Sequence, residues 1–149
     1  MDPNTKANVK QAVPFFFVME MERSLQFYVT GLGFEMTHQW TPRGSIEWCC
    51  LRRGGASVML QEYRKESIPA QNLNGQQGRG VTICFLCEGA LELYHEFSAK
   101  GLMVSEPFVG NGLWNIGLTD PDGYRLEFES ETNVPEETRF SDWKAGGSK

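Results

Sequence analysis

Few residues in this chain are equipped for chemistry, and they are scattered. The most conspicuous is Glu127, in the stretch "GLTDPDGYRLEFES" from Gly117 to Ser130. Asp-Pro-Asp-Gly is a turn, because proline presets one backbone angle and glycine tolerates a positive one. After it Tyr124, Leu126 and Phe128 share one parity, and Arg125, Glu127 and Glu129 the other, as in a half-buried strand. On such a strand Glu127 is open to four readings: a solvent-facing carboxylate paired with Arg125 or Arg79, a metal ligand, a general base, or the counter-charge of a bound cation. The only histidines are His38 and His95. The cysteines come as Cys49-Cys50 and Cys84-x-x-Cys87. On strands both pairs point to opposite faces, whereas a zinc knuckle wants two pairs held on turns, so these read as structural thiols.

The chain that must position these groups has 149 residues, enough for one domain that buries roughly two-thirds of its unfolded surface. Hydrophobic residues make up 40% and charged ones 22%, an ordinary balance for a globular protein. The net charge is −5, and basic residues form only short pairs, Arg52-Arg53 and Arg64-Lys65, which argues against nucleic acid as a partner. No apolar run approaches the roughly 20 residues that span a bilayer. The start, "MDPNTKANVKQ", lacks the apolar segment of a signal peptide, so a cytoplasmic location is expected.

Residues 1–11 read as a flexible lead-in, and "AVPFFFVME" as a buried strand. "EMERSLQFYVTGLGF" is a short amphipathic helix, with Met21, Leu25, Tyr28, Val29 and Leu32 at helical spacing and a stop at Gly31 or Gly33. Strands follow around "FEMTHQWT", "SIEWCCLRR" and "SVMLQEY", with glycine pairs and Pro42 at the turns. Arg64 to Gly80 is polar and glycine-rich, a linker between halves or a mobile loop. Then the pattern restarts: strand "VTICFLCE", helix "GALELYHEFSAKG", and strands near "LMVSEPFV", "LWNIGLT" and "YRLEFES". Tyr28 and Tyr94 occupy matching helices, separated by about one β-α-β-β-β unit, which predicts a duplicated α+β fold. The expected organisation is a single domain over 12–130, with modules at about 12–66 and 79–130, and a tail over 131–149 that wraps the domain or a partner.

"AVPFFFVMEMERSLQFYVTGLGFEM" together with "LTDPDGYRLEFE" resembles the glyoxalase/bleomycin-resistance/dioxygenase superfamily, also called vicinal oxygen chelate proteins. The resemblance covers about Ala12 to Ser130. It implies two βαβββ modules forming a cupped, partly open mixed β-barrel with helices outside. The metal enzymes of that superfamily take His or Glu ligands from the first and last strands of each module. Carried over by motif, those corners fall at Val13, about Leu60, Val81 or Thr82, and Glu127. A slip of register at the second corner substitutes Gln61 or Glu62. Three corners are not ligands, and a catalytic divalent ion usually needs three protein donors, so neither metal nor other cofactor is expected. His95 is expected on the outer surface and His38 near a cavity mouth.

What the resemblance implies instead is a binding protein. Phe15 and Phe17 share parity with the first corner and line the cup. Leu60 and Glu62 flank the second. Trp40, Trp48 and Trp114 supply further aromatic surface, and Glu127 holds a ligand's positive charge. The expected function is metal-free binding of an aromatic, amphipathic or cationic small molecule, of the bleomycin-resistance type, in a homodimer. The alternative is an enzyme of the same superfamily, a lyase, isomerase or dioxygenase, with Glu127 as ligand or general base.

Overall fold

The computed structural model describes residues 8–64, 66 and 77–146. The element order is β1 (Phe15–Val18), α1 (Met21–Leu25), β2 (Glu35–Trp40), β3 (Trp48–Arg53) and β4 (Ala56–Glu62), then β5 (Thr82–Leu86), α2 (Ala90–Ala99), β6 (Phe108–Gly110), β7 (Leu113–Thr119) and β8 (Arg125–Glu131). A last helix, α3, spans Phe140–Ala145. The β-α-β-β-β order therefore occurs twice, as the repeat of sequence pattern predicts. Each unit forms its own four-stranded mixed sheet, ordered β1-β4-β3-β2 and β5-β8-β7-β6, and the two sheets are not closed into a barrel. The expected loop over Arg64 to Gly80 lies largely outside the described residues, as do the first residues of the lead-in and the end of the tail.

Local chemistry accounts for the boundaries. β1 is shorter than the apolar run around it, because Pro14 lacks an amide hydrogen and its carbonyl instead accepts from Met59 N at 2.9 Å. α1 widens after Leu25 into a π-helical turn over Gln26–Gly31. Gly33 ends it at φ +78, where a side chain would be strained and would meet Arg53 Nη1 at 2.8 Å.

Alternation assigns one face of each sheet to the core. In the first, Phe16, Val18, Cys49, Leu51, Val58 and Leu60 are buried; in the second, Phe85, Ile116, Leu118, Leu126 and Phe128. Both helices cover these faces. Tyr28 lies 6.3 Å from Phe16 and from Phe34, and Phe97 meets Phe128 edge-on at 5.2 Å. Phe34 meets Phe85 across the modules at 5.9 Å, so the two buried faces share one core.

The Asp-Pro-Asp-Gly turn ties the second module to the start of the first helix. Asp122, 1% exposed, accepts from Met19 N at 3.1 Å, from Arg23 Nη2 at 3.3 Å and, at 3.5 Å, from Ser24 Oγ. Asp120 accepts from Tyr28 Oη at 2.8 Å and from the amides of Asp122 and Tyr124 at 2.9 Å each. Burial and the facing Asp120 carboxylate push the Tyr28 hydroxyl well above its ordinary value.

Asp122→Ala leaves buried donors without an acceptor and is expected to cost about 3 kcal/mol, whereas Tyr28→Phe removes one hydrogen bond and costs about 1–2 kcal/mol. Urea unfolding reads both: the midpoint falls in that order with the slope unchanged, and equal midpoints for Asp122→Ala and the parent chain would refute the role of the clasp.

Candidate functional site

The faces turned away from the helices carry the candidate site. On the first sheet the ladder registers set its side chains in two rows. Trp40 pairs with Trp48, Trp48 with Gln61, and Gln61 with Phe17; one step along, His38 pairs with Cys50, Cys50 with Met59, and Met59 with Phe15. With strands about 4.8 Å apart, each row is a continuous strip of side chains. Phe15 and Phe17 are 44% and 43% exposed and stack at 5.2 Å and 11°. Phe17 also lies 5.4 Å from Tyr63, and Trp40 is 46% exposed. Four aromatic rings thus lie on one open sheet face, which a fold without an occupant would not favour.

The second sheet presents charge on its equivalent face. Cys84 pairs with Glu127 and Leu86 with Glu129, while Gly117 and Asn115 face the two carboxylates on the neighbouring strand. Having no side chain, Gly117 leaves a gap beside Glu127. A hollow of about 600 Å³ opens there, lined by Ser105, Phe108, Asn115, Arg125 and Glu127. Partial burial, and then the neighbouring Glu129 carboxylate, raise the Glu127 carboxyl above its ordinary value. Burial raises the Cys84 thiol to about 11, with Glu129 and Glu127 adding to it. Glu127 forms no ion pair among the described residues; its near neighbours are another acid and a protonated thiol.

The expected site residues divide accordingly. Phe15, Phe17, Trp40 and Trp48 share the open face of the first sheet, and Glu127 stands on that of the second. Leu60 does not join them: it is fully buried on the helix side, and the register puts Met59 and Gln61 in the open where Leu60 was expected. Glu62 shares that inner parity and serves the fold, its Oε2 accepting from Met21 N at 2.7 Å at the start of α1. Trp114 is only 4% exposed, packed under Phe140 and Trp143 of α3 at 6.2 and 5.5 Å. Of the three tryptophans expected in the cup, it alone shares parity with the buried Ile116 and Leu118, on the inner face beneath the tail. His95 is exposed beside Phe140, and His38, also exposed, lies 3.1 Å from Thr37 Oγ1.

Reading along the strands missed two residues. Cys84 and Glu129 join Glu127 in a cluster whose ligand atoms all lie within 4.8 Å of one another. The alternation of "YRLEFES" put Glu129 on the Glu127 face, but only the β5–β8 register brings Cys84 beside them. The β5 residue opposite Glu127 is therefore Cys84, with Thr82 two residues earlier on the same face, opposite Arg125. This set does not fit the family's metal. The open-face positions of β1 and β4, Phe15, Phe17, Ser57, Met59 and Gln61, include no histidine or carboxylate. Every donor of the cluster comes from one sheet.

Comparison with known proteins places this geometry. The model of the Glyoxalase/Bleomycin resistance protein/Dioxygenase superfamily matches residues 10–128. No curated protein sequence matches the chain. Among solved structures, a bleomycin resistance determinant encoded on transposon Tn5 aligns with TM-score 0.64 and 20% identity, over 83% of this chain and 98% of that one. A bleomycin-binding protein from Streptomyces verticillus, complexed with copper(II)-bleomycin, aligns at 0.63 and 15%, over 83% and 98%. An antibiotic-binding protein from a Streptomyces species aligns at 0.61 and 18%, over 82% and 97%. At these identities the likeness is one of fold.

Removing the carboxylates beside Cys84 lowers its thiol toward the ordinary range. In mildly alkaline buffer the Glu127→Gln/Glu129→Gln variant is expected to be alkylated at Cys84 by iodoacetamide roughly threefold faster or more, since each pKa unit is tenfold in thiolate. Peptide mapping by mass spectrometry isolates that site, and an unchanged rate would dissolve the cluster.

Proposed function

The chain belongs to the glyoxalase/bleomycin resistance protein/dioxygenase superfamily, and on that footing we propose that it is a small-molecule binding protein of the bleomycin-resistance type. It holds an aromatic, amphipathic or cationic compound against the open sheet faces and needs no metal to do so. The observation that carries this reading is the aromatic strip: Phe15, Phe17, Trp40 and Trp48 stand on one face, none of them needed to fill the core. Rings stack on a flat ligand, and Glu127 with Glu129 supplies the negative charge that a cation seeks. The neighbouring folds named above include proteins that bind bleomycin, in keeping with this class of ligand.

Two further parts of the proposal follow from the same faces. Phe108 is 41% exposed on the open side of the second sheet, as Phe15, Phe17 and Trp40 are on that of the first. A second copy of the chain is the cover we assign to them, which makes the working unit a homodimer. All four cysteines are unbridged, which suits a reducing compartment, so the cytoplasm is where we place it. No helix among the described residues is long and apolar enough to cross a membrane.

A second reading is favoured by the raised Glu127 carboxyl, since a base whose pKa is lifted toward neutrality suits proton abstraction from a bound substrate. Under that reading the same face hosts an isomerase or lyase and Glu127→Gln abolishes turnover while binding persists. Under the binding reading there is no turnover to lose.

Titration with bleomycin or a planar aromatic cation is expected to quench tryptophan fluorescence, and Trp40→Phe with Trp48→Phe to remove most of the response while unfolding stability holds. Silence across a broad panel of such compounds would sink the proposal. Sedimentation equilibrium checks the dimer: the expected mass is twice the 16.9 kDa of the chain, and a monomer at micromolar concentration would overturn that part.

A further inference from the structure

A second and larger concavity lies between the modules. It has a volume of about 1280 Å³ and is bounded by the segment Gln11–Pro14, the β3–β4 turn, β5 and the start of α2. Among the described residues β5 pairs only with β8, and the cavity runs along its other edge. The accessible apolar lining is Ile83 and Leu93, set over the buried rings of Phe34, Phe85 and Phe128. Leu86 stands at the mouth.

The polar end of this cavity is acidic. Among the described residues Glu88, Glu92 and Glu96 line it, against the single cation Arg53. Arg53 is already fully engaged: its guanidinium donates to both Glu96 oxygens, at 2.6 and 3.0 Å, and to the Leu32 carbonyl at 2.6 Å. Among the described residues Glu88 and Glu92 form no ion pair, so the wall keeps two uncompensated negative charges next to an apolar lining. An anion entering here would meet those carboxylates with no free cation to receive it. A neutral apolar molecule would leave them unanswered.

We propose that this intermodule cavity is a binding site for an organic cation with an apolar body, an alkyl- or arylammonium. Its apolar part lies along Ile83, Leu86 and Leu93, above the buried Phe34, Phe85 and Phe128, and its charged head faces Glu88 and Glu92. The site shares no residue with the aromatic strip of Phe15, Phe17, Trp40 and Trp48 and contains no tryptophan. It goes beyond the binding function proposed above, and the two stand or fall separately.

Octyltrimethylammonium, with octyl sulfate as its anionic counterpart, tests this on the full chain by methyl and indole NMR together with calorimetry. The expected result is that the cation shifts the methyl signals of Ile83, Leu86 and Leu93, leaves the indole N–H signals of Trp40 and Trp48 in place, and binds more tightly than the sulfate. Glu88→Gln/Glu92→Gln lies on an exposed rim, so the fold survives, and it is expected to shrink the cation's preference roughly three- to tenfold, the range for two exposed ion pairs. Leu86→Ala weakens both probes alike. Equal affinity for the two probes, or an unchanged preference in the double variant, overturns the proposal. Shifts confined to the indoles overturn it while leaving the open-face reading intact.

Discussion

Two buried carboxylates in one turn hold the halves of this protein together. Asp120 and Asp122 are 4% and 1% exposed, and a buried carboxylate lacking donors costs several kcal/mol. Each is satisfied here by three donors, and all of Asp122's come from the first module: an amide at the helix start, a guanidinium and a hydroxyl. Tyr28 supplies one of Asp120's. The turn is therefore tolerable only when the first helix is docked against it, and that helix enters its own sheet's core through the same Tyr28. Neither module can close its polar accounts alone. This coupling fixes one sheet relative to the other, and with it the placement of both open faces and of the cavity between the modules.

Much of that scaffold was legible in the sequence, because it rests on short-range regularities. The repeated strand-helix-strand order, the apolar helical spacing around Tyr28 and Tyr94, and the alternation after Gly123 each involve neighbours a few residues apart. The errors came where a family position was preferred to alternation. In "SVMLQEY", Val58 and Leu60 share one parity, and the buried partners Cys49 and Leu51 confirm that it faces inward. Met59, apolar on the open side, blurred that pattern. Glu62 then followed Leu60 to the wrong face, though a carboxylate on inner parity at a strand end marks a helix to be capped.

Other features were not legible at all, for a physical reason: they depend on which distant strands become partners. Cys84 meets Glu127 only through a parallel register between two strands whose connection runs through α2, β6 and β7. Trp114 shares parity with Ile116 and Leu118, so alternation offered its inward direction, but what covers it there could not be read. What hides it is α3, whose Phe140 and Trp143 come from the far end of the chain. The tail read as mostly polar, and its two rings pack onto a small satellite core that local patterning cannot reveal.

The division of labour between faces bears on what such a fold can select. Each exposed ring covered by a ligand contributes on the order of 2 kcal/mol from apolar burial and stacking, whereas an exposed carboxylate pairing with a cation contributes at most about 1 kcal/mol. Under the proposed binding function, affinity on the first sheet would be set by ring geometry, by the spacing of Trp40, Trp48, Phe17 and Phe15 along two rows. On the same proposal the carboxylates of the second sheet would discriminate the sign of the ligand's charge and little else. Because these residues sit on parity opposite to the core, replacing them changes what is bound without opening a cavity under the helices. Asp120, Asp122 and Tyr28 have no such freedom, since every substitution there strands a buried partner. The turn therefore constrains the fold, while the rings opposite the core remain free to define the ligand.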